Sequence, residues 1–381
     1  MIVRILFVIL FGLLILLSGT EAQGGALVEL TDADGKYVGQ ILAVSEKQLW
    51  LEESTGSLRL LDKDKISSFK KREGNFRLMS ATELRAELRK ELGTGLEVRG
   101  TGHYLVCGDP RSVERFAPLF EEIYRSFLSY FRVRGIPVEE PAQPLVAIVL
   151  PSQEKFAEYA LRDGVHAGRG LGGYYIRTTN RVALFEESSR AELNLNHEQR
   201  AGGIFDSDGE RGAFATIEGN LRDTIVHEVT HQMAFNTGVH NRMSENPKWF
   251  VEGLACVFEA PGIRQADPTG KVSSRINPER LEWFRAYQQS RRPERCLKEF
   301  LATDEPFASA VLDAYAESWA LTFFLIETRR REYGAYIRKV AARPPLEEYT
   351  ARERIEDFEG AFGKDWSRLE TAYLRYIADL R

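Results

Sequence analysis

The chain is short of the residues that most often carry special chemistry. Among 381 residues there are three cysteines, four methionines and six histidines. Cys107, Cys256 and Cys296 are too few for a disulfide framework, and their odd number leaves at least one thiol unpaired unless it bridges two chains. Export would permit a Cys256–Cys296 bond, which spacing alone leaves open, and Cys256 reads most simply as a small buried residue. Positive charge is not in excess. A net charge of −5 and a pI near 5.9 argue against a nucleic-acid or anionic-membrane partner. Internal repeats are missing too.

Only one apolar run comes near the length of a membrane span. Ile5 to Leu17 follows a single arginine, Arg4, and precedes small residues and a Thr20-x-Ala22 step. The run is shorter than the ~20 apolar residues a spanning helix needs, so residues 1–22 read as a secretory signal peptide. The expected mature protein is exported, to the periplasm, cell envelope or extracellular space. It would touch a membrane only through this segment if uncleaved. With 43% hydrophobic and 28% charged residues, the remainder can bury a sizeable core in two or three domains.

Residues 26–77 alternate apolar and polar in short runs, with turn signals at Asp34-Gly35 and Thr55-Gly56. Four or five strands in so short a stretch predict a small SH3-like, barrel-like β domain. Residues 78–95 read as a linker helix, opened by Ser80 with Glu83 three residues on, a capping box. From residue 96 strands and helices alternate: a hairpin around Gly100 and Gly102, a helix from Phe116 to Phe131, the apolar strand Pro144–Leu150, and a further helix and hairpin to Phe185. Glu186 to Glu218 is polar and Gly-rich without periodicity, and reads as a loop over a cleft. Residues 277–381 carry helical stripes almost to the end. The expected fold class is α+β: a sheet-plus-helix core over 96–262 and a C-terminal helical lobe.

Two of the six histidines stand out. His227 and His231 are four residues apart, which on a helix of ~3.6 residues per turn puts both imidazoles on one face. Glu228 follows the first. H-E-x-x-H on a helix is a metal-site pattern in which two histidines hold zinc and the glutamate serves as general base toward a water. Such a site needs a third protein ligand. Glu252, 21 residues after His231 in Trp249-Phe250-Val251-Glu252-Gly253, is the candidate. Asn246 is placed to cap its helix, Pro247 suits the first position and Pro261-Gly262 ends it. His103, His166, His197 and His240 have no ligand-like spacing and read as solvent or hydrogen-bonding histidines.

The combination of His227-Glu228-x-x-His231 with Pro247-x-Trp249-x-x-Glu252-Gly253-x-Ala255 resembles the gluzincins, zinc peptidases with a glutamate ligand on the helix after the histidines. It is similar in particular to an uncharacterised branch of secreted bacterial proteins with a peptidase-like domain. The resemblance implies a zincin-like metallopeptidase core, Zn2+ as cofactor held by His227, His231 and Glu252, and Glu228 as catalytic base. It also implies an oxyanion donor on a downstream helix, for which Tyr315, 63 residues after Glu252, is the candidate. A sheet edge beside the metal helix would carry an extended peptide or protein substrate, and one strand of the 172–185 hairpin is placed to be that edge. Two departures stand out. Cys256 sits where some gluzincins have a carboxylate orienting a ligand histidine, a role open to Asp223 or Glu259. No Gly-x-Met-Glu-Asn segment occurs, so an aminopeptidase is not supported. The expected function is a secreted zinc-dependent peptidase. The alternative is a non-catalytic secreted or cell-envelope binding or structural protein that keeps a zinc-binding peptidase fold. Spacing is silent on oligomeric state.

Overall fold

The computed structural model describes residues 25–93, 95–167, 171–185, 221–264 and 271–381, in two compact units divided between Met79 and Ser80. The expected signal peptide, the 186–218 loop and His197 lie outside the described residues. Among those described, no helix is long and apolar enough to cross a membrane.

In the first unit the alternation resolves into five strands: β1 (Ala26–Thr31), β2 (Lys36–Val44), β3 (Gln48–Glu53), β4 (Leu58–Asp62) and β5 (Ser68–Asn75). Val28, Leu30, Leu49, Leu51 and Leu61 form its buried core. The strands pair in the order β4-β3-β2-β1-β5, all antiparallel. This corrects the barrel expectation, because the sheet is open and β4 and β5 are its two edges. Alternation and turn residues count strands, but closure depends on tilt and stagger bringing the outer strands together. Here β5 returns along β1 and does not reach β4.

The second unit begins with α1 (Ala81–Leu92), whose Ser80 and Glu83 form the expected capping box. A second sheet combines β6 (Glu97–Gly100), β7 (Tyr104–Gly108), β8 (Leu145–Leu150), β9 (Gly173–Ile176) and β10 (Arg181–Phe185), in the order β6-β7-β8-β10-β9. The inner pairs β7–β8 and β8–β10 are parallel and the outer two antiparallel. Every residue of β8 is buried, as a parallel strand covered on both faces requires. Helix α2 (Pro110–Val133) starts at an Asp109 cap and packs against β7. Helix α3 (Gln153–Arg162) lies beside β10.

The remaining helices are α4 (Leu221–Asn236), α5 (Lys248–Phe258), α6 (Pro278–Ser290), α7 (Leu297–Ala302), α8 (Val311–Thr328), α9 (Arg330–Ala341), α10 (Ala351–Phe362) and α11 (Trp366–Asp379), with short turns between some of them. Helix α5 is the centre of this assembly. All ten residues from Trp249 to Phe258 are buried, the signature of a helix with no solvent face. Phe258 meets the rings of Phe127 and Tyr130 on α2, with centroids 5.0 and 4.9 Å away. On its other side α5 presses on α8 through Gly253. A Cβ there would lie 2.3 Å from Thr322 Oγ1 and 2.5 Å from the Ser318 carbonyl oxygen.

Gly253→Ala therefore forces the two helices apart, and we expect it to destabilise by ~1–3 kcal/mol. Gly360→Ala, on α10 with nothing within 4 Å of the added carbon, should be neutral or stabilising by up to about 1 kcal/mol. Urea unfolding of the two variants beside wild type checks the contrast.

Candidate metal centre

Helix α4 is stitched to the sheet by amides. Gln232 Nε2 donates to the Val146 carbonyl of β8 at 3.0 Å and to the Asn180 carbonyl at 2.8 Å. Asn236 bonds Asn180 at 2.6 Å, and Asn180 holds a positive φ of 60° in the β9–β10 turn. These bonds set the rotation of α4, and hence the direction in which His227 and His231 point. Their rings meet edge to face with centroids 4.7 Å apart, as the four-residue spacing predicts. The chain then turns at Gly238, whose φ of 78° suits glycine, and returns as α5.

The start of α5 differs from expectation. Pro247 is the N-cap and offers no side-chain bond. Asn246 donates instead to the carbonyls of Asn241 and Ser244, which pins the loop. The open amide of Lys248 is capped from outside by Asp304 Oδ1 at 2.9 Å, and Arg354 holds that carboxylate at 2.9 Å. A cap supplied by a segment so distant in the chain left no local signal. The far end differs too: α5 ends at Phe258, and Pro261–Arg264 forms a helical turn of its own.

Glu252 lands opposite the histidines. Its Oε2 lies 3.2 Å from His227 Nε2 and 3.5 Å from His231 Nε2. One donor atom from each residue falls within 4.8 Å of the other two, and each residue is 2% exposed. Among the described residues His231 Nε2 makes no full hydrogen bond, Glu252 being its nearest acceptor. Two imidazole nitrogens and a carboxylate converging on one point, with a buried nitrogen left unsatisfied, is a donor set that suits a metal ion of the zinc kind.

Electrostatics around the cluster is severe. Burial pushes the Glu228 carboxyl up to about 8, against the pull of His227 and with the help of Glu252. Among the described residues neither Glu228 oxygen meets full hydrogen-bond geometry, and the backbone amide of Tyr175 on β9 is a donor that faces it. For His227 burial disfavours the charged ring, yet Glu252 and Glu259 carry it up to about 10. Glu252 likewise resists its own burial and is held far below the usual carboxylate range by His231 and His227.

The carboxylate behind His227 is Glu259 rather than Asp223. Glu259 Oε1 lies 2.8 Å from His227 Nδ1. Asn277 Nδ2 donates to Oε2 at 2.7 Å, and the Arg280 guanidinium sits 3.2 Å away. Cys256 approaches the same spot, so His227, Cys256 and Glu259 form a second group of possible ligands. The direct His227–Glu259 bond and the adjoining guanidinium make this a support for His227 and not a second cation site. All three cysteines are free and buried, so the Cys256–Cys296 bond is not formed. Asn277 and Arg280 went unseen at the sequence level. Asn277-Pro278 is legible as a helix start, but nothing local says what the cap also touches.

Tyr315 on α8 is 1% exposed, its ring stacked 6.4 Å from that of His227 and edge-on to Phe307 at 5.6 Å. It therefore flanks the cluster. The other described histidines are elsewhere. His103 bonds Glu121 at 2.7 Å and stacks on Tyr124, and His166 is exposed. His240 lies between the rings of Phe235 and Phe250, where burial pushes its pKa down to about 3.

Fold and site together define a protein with a buried His227/His231/Glu252 cluster that matches the H-E-x-x-H plus Glu spacing and suits a coordinated metal. A model of a family described as a protein of unknown function (DUF1570) matches residues 222–347, a span that holds the whole cluster and Tyr315. No curated protein matches the chain.

His231→Ala and Glu252→Gln should each weaken zinc binding more than ~100-fold, beyond the effect typical of outer-shell changes. Asp223→Ala should leave it unchanged. Competition with a chromophoric chelator measures all three.

Proposed function

We propose that the protein is an exported, gluzincin-type zinc peptidase that hydrolyses peptide bonds with Glu228 as general base. The observation that carries this reading is the convergence of His227 Nε2, His231 Nε2 and Glu252 Oε2 with the Glu228 carboxylate fully buried beside them. His227, His231 and Glu252 would hold the ion. Zinc bound there supplies Lewis acidity, polarising a carbonyl and making a water more acidic. Glu228 takes a proton from the attacking water and passes it to the leaving amine nitrogen, so that one water is consumed and an acid and an amine are released. Tyr315 is assigned to donate a hydrogen bond from its hydroxyl to the oxygen that becomes negative in the tetrahedral intermediate, keeping its own proton.

Among the described residues β9 is an edge strand of its sheet, and it packs against α4. We assign that edge to an extended peptide, added through backbone bonds beside Glu228. Export rests on the N-terminal apolar run.

Glu228→Gln should retain about one equivalent of zinc and lose ~10²–10⁴-fold in kcat/KM on a mixed peptide library. Tyr315→Phe should lower kcat ~10²-fold with little change in KM. A wild type that holds zinc and cuts nothing moves the reading to a binding or envelope-structural protein built on the same metal site.

A further inference from the structure

We propose that Arg280 is a positioning residue of the metal centre: acting through Glu259, it holds the His227 imidazole with Nδ1 engaged and Nε2 turned toward Glu252. The inference rests on His227, His231 and Glu252 being metal ligands.

The contacts form a closed chain. His227 Nδ1 is 2.8 Å from Glu259 Oε1, and Arg280 Nη2 lies 3.3 Å from that same oxygen and 3.2 Å from Oε2. Asn277 Nδ2 closes the other side of Oε2 at 2.7 Å. The carboxylate is thus gripped at both oxygens and cannot swing off the imidazole without breaking a charge-assisted bond. An imidazole whose Nδ1 is fixed by a carboxylate has its tautomer and its ring plane fixed as well, which determines where Nε2 points.

Arg280 is 7% exposed, so its charge has little access to water, and among the described residues Glu259 is a carboxylate that pairs it. Its place is set by the start of α6. Asn277 Oδ1 accepts from the Arg280 amide as the helix cap, while the same side-chain amide donates to Glu259 and reaches the Cys256 carbonyl at 3.4 Å. One asparagine therefore both begins α6 and fixes the acceptor for His227. α6 also packs on α8, so the helix that carries Arg280 is held in place by the lobe it belongs to. Packing alone explains neither the doubled grip on Glu259 nor the direction of the cap's amide.

The test is a double-mutant cycle on zinc affinity, measured by chelator competition on the purified full protein, with Arg280→Gln, Glu259→Gln and the two combined. Arg280→Gln should weaken zinc ~10-fold and Glu259→Gln ~10–100-fold. The double variant should bind no more weakly than Glu259→Gln alone, because the proposal routes the effect of Arg280 on His227 through Glu259. Cobalt(II) loaded in place of zinc should show the same altered visible spectrum in both single variants, a change that lost stability alone does not produce. Additive penalties, or an Arg280→Gln protein that binds zinc as tightly as wild type or more tightly, would overturn the proposal. If Arg280→Gln does not fold, Arg280→Lys, which keeps the charge and loses the planar fork, carries the same cycle. A wild type that binds no zinc sinks the metal-centre reading, and this inference with it. A wild type that binds zinc but cuts no peptide removes the peptidase reading only.

Discussion

Three carboxylates withdrawn from water around two imidazoles are the constraint on which the second unit depends. Glu228, Glu252 and Glu259 all lie within or beside the His227–His231 pair, and each would be costly to bury without a partner. The protein answers each differently. Glu252 faces both imidazoles, Glu259 is held by His227, Asn277 and Arg280, and Glu228, among the described residues, has only the Tyr175 amide facing it. Glu228 is the one to which the proposed chemistry assigns a moving proton. A divalent cation among these ligands, together with Arg280, would balance the charge of all three.

Such a site needs walls that do not give. α4 supplies one, tied to the sheet by Gln232 and Asn236. α5 supplies the other, buried from Trp249 to Phe258 and pressed between α2 and α8. Glycine at position 253 is what lets α5 and α8 approach so closely, and it stands next to Glu252 in the chain. The distance between the two helices and the position of the third ligand are therefore set by the same contact. The cap on α5 from Asp304, itself held by Arg354 of α10, extends that dependence to the far end of the helical lobe.

Much of this was legible in order along the chain. The spacing of His227 and His231, the apolar run of β8, the capping box at Ser80 and the helical stripes beyond Asn277 each report a period or a local bond that a few consecutive residues contain. Glu252 was legible because the helix carrying it is short and near. The misreadings have a common cause. Asn246 was placed as a cap from its position, yet its amide is used within the loop and the cap comes from Asp304, 56 residues on. That the first unit holds four or five strands was legible, but their number and whether β4 meets β5 depend on pairing and stagger that no local pattern records.

By itself the sequence determined the residue types of the centre, their helical spacing and the order of the strands and helices that carry them, because these follow from side-chain chemistry and from periods of two and 3.6 residues. Tertiary structure alone decided that Glu259 and not Asp223 backs His227, that Asn277 and Arg280 grip it, that Tyr315 flanks the cluster, and that the first sheet stays open. Each of those depends on where two distant segments pack, and packing is settled by the shape of the whole core.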